Sequence, residues 1–241
     1  CQGLKSPTGE SMTSHRHRKG FFLLTALVLC GRAPARAGET ALTRWPNLQA
    51  LLDTSVWISW KTDAACIGKV HFASPGGAEL VAQEAAEGLR HGVRLEGLAP
   101  ATVYSYRVFD GDRPLHDETF RFRTAPPTGP SSFRAVVFGD SGWGKQDQMD
   151  IAARIAEMAP DLVIHTGDLD YLHDIQASYF EPYRGLLART CVYPCRGNHD
   201  FLETIWREVV IPPMENPEKT GTYYSLDWGC AHFAFLDTEV D

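Results

Sequence analysis

The 241-residue sequence lacks several features that would each indicate a particular class of protein. It has no stripe of basic residues interleaved with aromatics, and its formal net charge is −7, which argues against a nucleic-acid-binding surface. The apolar run at residues 21–30 is too short to cross a membrane as a helix. No internal repeat or low-complexity segment is present. The remaining composition, 44% hydrophobic and 22% charged, is that of an ordinary globular protein with enough chain for two modest domains.

The first residues have the pattern of a secretion signal. Met12 is followed by the basic segment "TSHRHRKG", the apolar run at residues 21–30, and a small-x-small site at residues 35–37. Residues 1–11 then precede the start of the protein. We therefore expect residues 1–37 to be upstream sequence plus a signal peptide, and the mature protein to be secreted or periplasmic with no stable membrane span.

Cysteine is scarce once that leader is set aside. Cys66, Cys191, Cys195 and Cys230 remain, and an exported protein could bridge them in three ways if all are paired. Cys191 and Cys195 are separated by three residues, and no C-x-x-C motif follows them, so a zinc ribbon is not indicated. We interpret these cysteines as structural.

Residues 44–125 show the pattern of short antiparallel strands. Segments such as "SVWISW", "YSYRVFDG" and "TFRFRT" alternate apolar and polar side chains, and turn residues separate them. Short strands at this spacing predict a β-sandwich. In the stretch "LAPATVYSYRV", the residues Leu98, Pro100, Thr102 and Tyr104 resemble the L-x-P-x-T-x-Y pattern of fibronectin type III domains. This resemblance implies that the Tyr104 hydroxyl makes the tyrosine-corner hydrogen bond.

After the Pro-rich linker "TAPPTGPSS", residues 132–241 change to an alternation of strands and helices. The apolar strands "FRAVVFGD", "DLVIHTGD" and "CVYPCRGNHD" are separated by the helical patterns "QDQMDIAARIAEMA" and "IQASYFEPYRGLLART". Each pattern predicts a helix, and Pro182 is the place where the second could be broken or kinked. Such an alternation predicts a parallel α/β layer. Two further strands, "TYYSLDWG" and "AHFAFLDT", are predicted with a tight turn at Gly229.

Each of the three predicted parallel strands ends in a glycine-led polar motif. These motifs are "GDSG" at 139–142, "GDLDY" at 167–171 and "GNHD" at 197–200. Ligands of open α/β sheets bind beyond the carboxyl ends of the strands, so the motifs are expected to converge. A single Gly-Asp pair often only makes a turn, but three in this order are poorly explained by turn chemistry alone.

The residue types in these motifs suit a pair of metal ions. Carboxylate and amide oxygens are ligands of hard and borderline metals, and a bridging carboxylate can hold two ions at the spacing that clamps a phosphoryl group. We expect Asp140 to bind one metal, Asp168 to bridge both and Asn198 to bind the other. His199 is then available as an acid or hydrogen-bond donor to the leaving oxygen.

The order GD-x-G, GD-x-x-Y, GNHD resembles the purple acid phosphatases of the calcineurin-like metallophosphoesterase superfamily. That resemblance implies an N-terminal fibronectin III-like sandwich followed by an α/β metallophosphoesterase domain, only partly present here. Most of the superfamily has D-x-H in the first motif, whereas position 142 is glycine. The resemblance implies that Tyr171 replaces that histidine as a ligand of Fe(III), beside a divalent Zn, Fe or Mn ion. Asp200 is expected to orient His199 from the outer shell.

The function implied is that of an exported acid phosphatase, in which a metal-bound hydroxide attacks the phosphorus of a phosphate monoester directly. The family uses three further histidine ligands, and His232 is the only histidine after His199. We therefore expect the chain to be a fragment that is inactive alone. The alternatives are a phosphodiesterase of the same superfamily, or a non-catalytic extracellular binding protein built on a truncated phosphatase scaffold.

Overall fold

The computed structural model describes residues 39–200, 206, 209–213 and 221–239. The predicted signal peptide at residues 1–37 lies outside these described residues. Ala35–Asp241 form one compact unit, which contains both the predicted sandwich and the predicted α/β layer.

The N-terminal part is a sandwich of two antiparallel sheets. One sheet has the order β1-β2-β5, and the other has the order β4-β3-β6 with β7 and β8 both paired to β6. The strands are β1 (Leu42–Gln49), β2 (Ser55–Cys66), β3 (Gly68–Ala73), β4 (Leu80–Gln83), β5 (Gly88–Glu96), β6 (Val103–Asp110), β7 (Arg113–Pro114) and β8 (Phe120–Arg123).

The alternation of the sequence places the core. In β2, Val56, Ile58 and Trp60 are buried between the sheets, while the intervening Trp57 and Ser59 are partly exposed. The Tyr104 hydroxyl accepts a hydrogen bond from the Ala99 N–H at 2.9 Å, which is the predicted corner. The prediction of a fibronectin III-like sandwich is therefore confirmed.

The hydrogen bond of the Tyr104 corner is expected to contribute to the stability of the fold. Replacing Tyr104 with phenylalanine keeps the ring stacked on Phe122 but removes the acceptor of the Ala99 N–H. We expect the free energy of unfolding to fall by about 1 kcal/mol in urea titration. An unchanged midpoint would show that water satisfies Ala99 equally well.

The C-terminal part contains a parallel sheet of order β11-β10-β9. Its strands are β9 (Ala135–Phe138), β10 (Leu162–His165) and β11 (Val192–Pro194). Helix α1 (Gln146–Glu157) connects β9 to β10, as predicted, and buries Ala152 and Ile155. The strands β12 (Tyr224–Trp228) and β13 (Ala231–Phe235) pair antiparallel around Gly229, whose φ is 59°, so the predicted turn is confirmed.

The second predicted helix is not continuous. Residues Gln176–Phe180 form a single π-helical turn, and α2 (Arg184–Leu187) is one short α-helical turn. Pro182 separates them, because proline lacks an N–H group and its ring obstructs the preceding turn. The prediction of one helix across this segment is wrong, although Pro182 was the expected place for a break.

Several side-chain contacts join the sandwich to the α/β part. The Tyr106 hydroxyl donates to the Ala188 carbonyl at 2.8 Å, and the Tyr193 hydroxyl donates to the Leu51 carbonyl. The guanidinium of Arg44 in β1 donates to Gln176 Oε1 at 2.9 Å and lies 3.6 Å from the ring centroid of Phe180. The π-helical turn is therefore held by the first strand of the sandwich. The domain division between 125 and 132 stays a prediction.

The four remaining cysteines, Cys66, Cys191, Cys195 and Cys230, are all free thiols in the structure. Cys66 and Cys191 are buried, and burial raises the pKa of both thiols, that of Cys191 to about 11. In the described part of the chain, no helix is long and apolar enough to cross a membrane.

Candidate metal centre

The three glycine-led loops meet at the carboxyl ends of β9, β10 and β11. The Asp140 N–H donates to the Gly167 carbonyl at 3.1 Å, and the Ser141 and Gly142 N–H groups donate to the Asp168 carbonyl at 3.3 and 3.2 Å. In return, the Tyr171 N–H donates to the Gly142 carbonyl at 2.9 Å. Backbone hydrogen bonds thus fix the first loop against the second, as the strand order predicts.

The two aspartates of these loops have an unusual backbone conformation. Asp140 has φ of 54° and Asp168 has φ of 60°, in the left-handed region that non-glycine residues seldom adopt. Such a conformation costs about 1 kcal/mol or more per residue, and it persists only where the surrounding structure enforces it. Strain at both aspartates of two consecutive loops indicates that the carboxylate positions matter more than local stability.

The hydroxyl of Tyr171 joins the two carboxylates. It donates to Asp168 Oδ2 at 2.6 Å and lies 3.1 Å from Asp140 Oδ1. Burial, followed by these contacts with two carboxylates, raises the pKa of the Tyr171 phenol above its ordinary value. Asp168 is buried and Asp140 is exposed, so the cluster opens to solvent on the Asp140 side.

The carboxylate of Asp200 holds the backbone of the second and third loops. Its Oδ1 accepts hydrogen bonds from the Leu169 and Asp170 N–H groups at 2.8 and 3.2 Å, and its Oδ2 accepts from Asp168 and Gly197 at 2.8 and 3.1 Å. Burial raises the pKa of this carboxyl, while the backbone donors oppose the rise. Within the described residues its carboxylate is occupied by backbone N–H groups. The expectation that Asp200 orients the His199 imidazole is corrected: it holds the loop that carries Asp168.

The glycines of the motifs permit the close packing of the loops. A Cβ at position 142 would lie 2.3 Å from the backbone carbonyl carbon and oxygen of Leu169. A Cβ at position 197 would lie 2.3 Å from Asp168 Oδ1 and 2.5 Å from its backbone nitrogen. Position 142 is where the superfamily's D-x-H histidine would stand. With the loops as they are here, no side chain fits there.

The third loop contributes one further contact to the cluster. The His199 N–H donates to Asp168 Oδ1 at 3.1 Å, and the exposed imidazole lies 4.4 Å, centroid to centroid, from the Tyr171 ring. Asn198 is exposed on the same turn, and in the described structure its side chain makes no hydrogen bond to Asp140 or Asp168. The structure therefore brings together Asp140, Asp168, Tyr171 and His199, with Asn198 adjacent.

Two polar residues near the site have supporting contacts. The buried His165 ring accepts the Gly167 N–H at Nδ1, so its Nε2 carries the proton and donates to Ser141 Oγ at 2.8 Å. Burial lowers the pKa of His165 to about 4, which keeps the ring neutral. Asp170 Oδ1 accepts from the Leu172 N–H and the Ser178 hydroxyl at 2.9 and 2.7 Å. Both residues stabilise the loops through these hydrogen bonds.

Sequence reasoning missed Trp143 and Lys145, which lie directly after the first motif. Trp143 stacks on Tyr171, and the only sequence signal for it is an aromatic next to Gly142. Among the described residues, no three His, Cys, Asp or Glu side chains come close enough to form a metal site by themselves. The two aspartates alone provide only part of a ligand set, and the hydroxyl of Tyr171 lies within hydrogen-bond distance of both carboxylates.

Comparison with known proteins agrees with this geometry. Residues 133–237 match the calcineurin-like phosphoesterase family. Purple acid phosphatase 15 of Arabidopsis thaliana is 26% identical over 189 residues, which cover 64% of this chain and 35% of the relative. Purple acid phosphatase 23 of the same plant is 23% identical over 258 residues, which cover 78% of this chain and 56% of the relative. The chain thus spans about a third to a half of the length of these curated relatives.

A solved structure of PhoD has the same fold over most of the chain. It superposes with a TM-score of 0.62 at 15% identity, and covers 80% of this chain and 51% of the PhoD chain. Residues 133–237 therefore form a domain similar to the calcineurin-like phosphoesterases, and the fold of the chain is shared with PhoD. The chain is also similar to purple acid phosphatases, so the resemblance noted in the motifs is confirmed.

Proposed function

We propose that this chain carries the first part of an exported binuclear metal-dependent hydrolase of phosphate monoesters. The observation that carries the proposal is the pair of strained aspartates, Asp140 and Asp168, whose carboxylates share the hydroxyl of Tyr171. Purple acid phosphatase relatives support a binuclear centre. Export is supported by the signal-like sequence at residues 12–37.

The donor chemistry of the cluster fits metal ions. Among the described residues, no Lys or Arg forms an ion pair with Asp140 or Asp168, so the charge of both carboxylates is available to bound cations. Asp140 and Tyr171 would hold Fe(III), which prefers hard anionic oxygen donors. Asp168 would bridge to a divalent Zn, Fe or Mn ion held by Asn198. When bound, such a pair supplies activated water and neutralises the charge of a phosphoryl group.

The surrounding residues have distinct roles in this proposal. His199 is exposed beside Asp168, where its imidazole can donate a proton or hydrogen bond to the leaving oxygen of the ester. Asp200 fixes the backbone from Gly197 to Asp170 and thereby the position of Asp168. Ser141 is not required as a nucleophile, because its hydroxyl oxygen accepts a hydrogen bond from the Nε2–H group of His165. A small pocket is bordered by His199 and Asp200 on one side and by Trp206 and Val209 on the other.

The proposal is tested with Asp168→Asn and Tyr171→Phe in the complete reading frame that contains this chain. We expect Asp168→Asn to lose bound metal and at least 100-fold in p-nitrophenyl phosphate turnover at acidic pH, because the bridging charge is removed. Tyr171→Phe should lose the visible absorption of an Fe(III)–phenolate centre. The control is Asp227→Asn, an exposed aspartate paired with His232 on the β12–β13 hairpin, which should change neither quantity.

The outcomes separate the alternatives. Unchanged iron content in both variants would overturn the ligand assignment. Turnover of bis-p-nitrophenyl phosphate in excess of the monoester would replace the proposal with a phosphodiesterase. Metal-free protein without turnover of either ester would favour an extracellular binding protein. Recovery of the protein in the cell fraction with residues 12–37 uncleaved would contradict export.

A further inference from the structure

An exposed tryptophan contacts the centre from the first loop. The indole of Trp143 lies parallel to the Tyr171 ring, with an interplanar angle of 9° and 4.4 Å between the ring centroids. Trp143 is nevertheless 47% exposed, so burial in the protein core does not explain its position.

A lysine also contacts the same indole. Lys145 Nζ lies over the Trp143 ring, 5.1 Å from its centroid, a distance at which an ammonium is attracted to the aromatic face. Trp143 therefore has two partners, the ring of Tyr171 and the ammonium of Lys145, although it is exposed.

Tyr171 is in turn restricted by two rings. Its phenol contacts Trp143 and the imidazole of His199, each at 4.4 Å between centroids, with the His199 ring tilted by 47°. Its backbone is tied to the first loop through the hydrogen bond to the Gly142 carbonyl. A row of side chains therefore runs from Lys145 through Trp143 and Tyr171 to His199.

We propose that Trp143 is a positioning residue that orients the phenol of Tyr171 toward Asp140 and Asp168. A tyrosine side chain at a solvent-open site is free to rotate about its first two torsions, and each alternative rotamer would withdraw the hydroxyl from the carboxylates. Stacking on Trp143 restricts this rotation already in the metal-free protein. This inference rests on the proposed function, in which Tyr171 is the phenolate ligand of Fe(III).

The stacking of Trp143 on Tyr171 can also be tested in the absence of metal. In the metal-free protein, ring protons of Tyr171 lie over the indole and should show an upfield ring-current shift. The resonance is identified by its loss in Tyr171→Phe. It should move to the position of an exposed tyrosine in Trp143→Ala, and should largely return in Trp143→Phe, which restores a smaller ring.

The decisive experiment is a double-mutant cycle of Trp143→Ala and Tyr171→Phe, read by binding of Fe(III) supplied as its citrate complex to the complete protein. We expect Trp143→Ala to weaken Fe(III) binding about two- to tenfold, because the interaction energy of an aromatic pair corresponds to that change in affinity. The visible band should also broaden. In the Tyr171→Phe background, Trp143→Ala should have no further effect. Trp57→Phe, in the β-sandwich, is the control and should leave both readouts unchanged.

Each result has one interpretation. Equal effects of Trp143→Ala in both backgrounds, or an unmoved Tyr171 resonance in Trp143→Ala, would overturn the positioning role. Tyr171→Phe without effect on Fe(III) binding, but with the resonance moved in Trp143→Ala, would reject the proposed ligand while confirming the stack. Thermal unfolding of each variant verifies that the protein remains folded.

Discussion

Replacing Gly142 with alanine is expected to abolish metal binding and to lower the free energy of unfolding by about 3 kcal/mol or more. The added Cβ would lie 2.3 Å from the carbonyl carbon and oxygen of Leu169 and 2.5 Å from the Asp170 nitrogen. These are backbone atoms on both sides of one peptide bond, so no rotamer change relieves the overlap. The first and second loops must separate, and the hydrogen bonds that join them are lost.

The matched control for this substitution is Gly185→Ala. Gly185 lies in α2, and a Cβ there would meet nothing within 4 Å. Alanine is the better helix former, so this variant should be neutral or more stable by up to about 1 kcal/mol. Urea unfolding and Fe(III) titration of both variants provide the comparison. A stable, metal-binding Gly142→Ala protein would show that the two loops can separate without loss of the site.

The second large effect is expected at Glu84, which links the two sheets of the sandwich. Its Oε2 accepts from the Gly68 N–H of β3 at 3.0 Å and contacts His91 Nδ1 at 2.7 Å, while its Oε1 accepts from the Gly92 N–H of β5 at 2.7 Å. The opposite nitrogen of the buried His91 lies 2.8 Å from the Thr62 hydroxyl. One carboxylate therefore satisfies buried groups of both sheets.

Glu84→Ala should lower the free energy of unfolding by about 3–5 kcal/mol. Two backbone N–H groups and the His91 ring would lose their acceptor, and each unsatisfied buried group costs about 1–3 kcal/mol. Glu84→Gln should cost less, because the amide keeps one oxygen acceptor, and Glu87→Ala, at an exposed position of the same loop, should stay within about 0.5 kcal/mol of the parent. Similar stability of all three variants in chemical denaturation would refute the linking role.

Much of the fold follows from local patterns in the sequence. Alternation in "SVWISW" places Val56, Ile58 and Trp60 inward, and the L-x-P-x-T-x-Y pattern identifies the Tyr104 corner. Both signals are local and depend on a fixed period of side-chain direction. The broken segment at 176–187 was harder to predict, because its apolar residues suit a helix while Pro182 and packing against Arg44 prevent a continuous one.

For the candidate metal centre, the sequence predicts which loops come together. The strand order brings Asp140, Asp168 and His199 to one edge, and the absence of a histidine at 142 directs attention to Tyr171. The contacts between loops were not predictable. Asp200 bonds to the backbone of the second loop, and Trp143 stacks across loops, because such partners depend on how far apart two backbones lie. No period or motif encodes that distance.

The contact of Arg44 with the π-helical turn has a consequence for how the protein can be divided. Arg44 of β1 holds Gln176, and in the same turn the Ser178 hydroxyl donates to Asp170, which follows Asp168 in the second loop. The sandwich thus supports the second loop of the centre through a chain of two side-chain hydrogen bonds. Cutting the chain at the Pro-rich segment 124–132 would leave the cluster of Asp140, Asp168 and Tyr171 without that anchor.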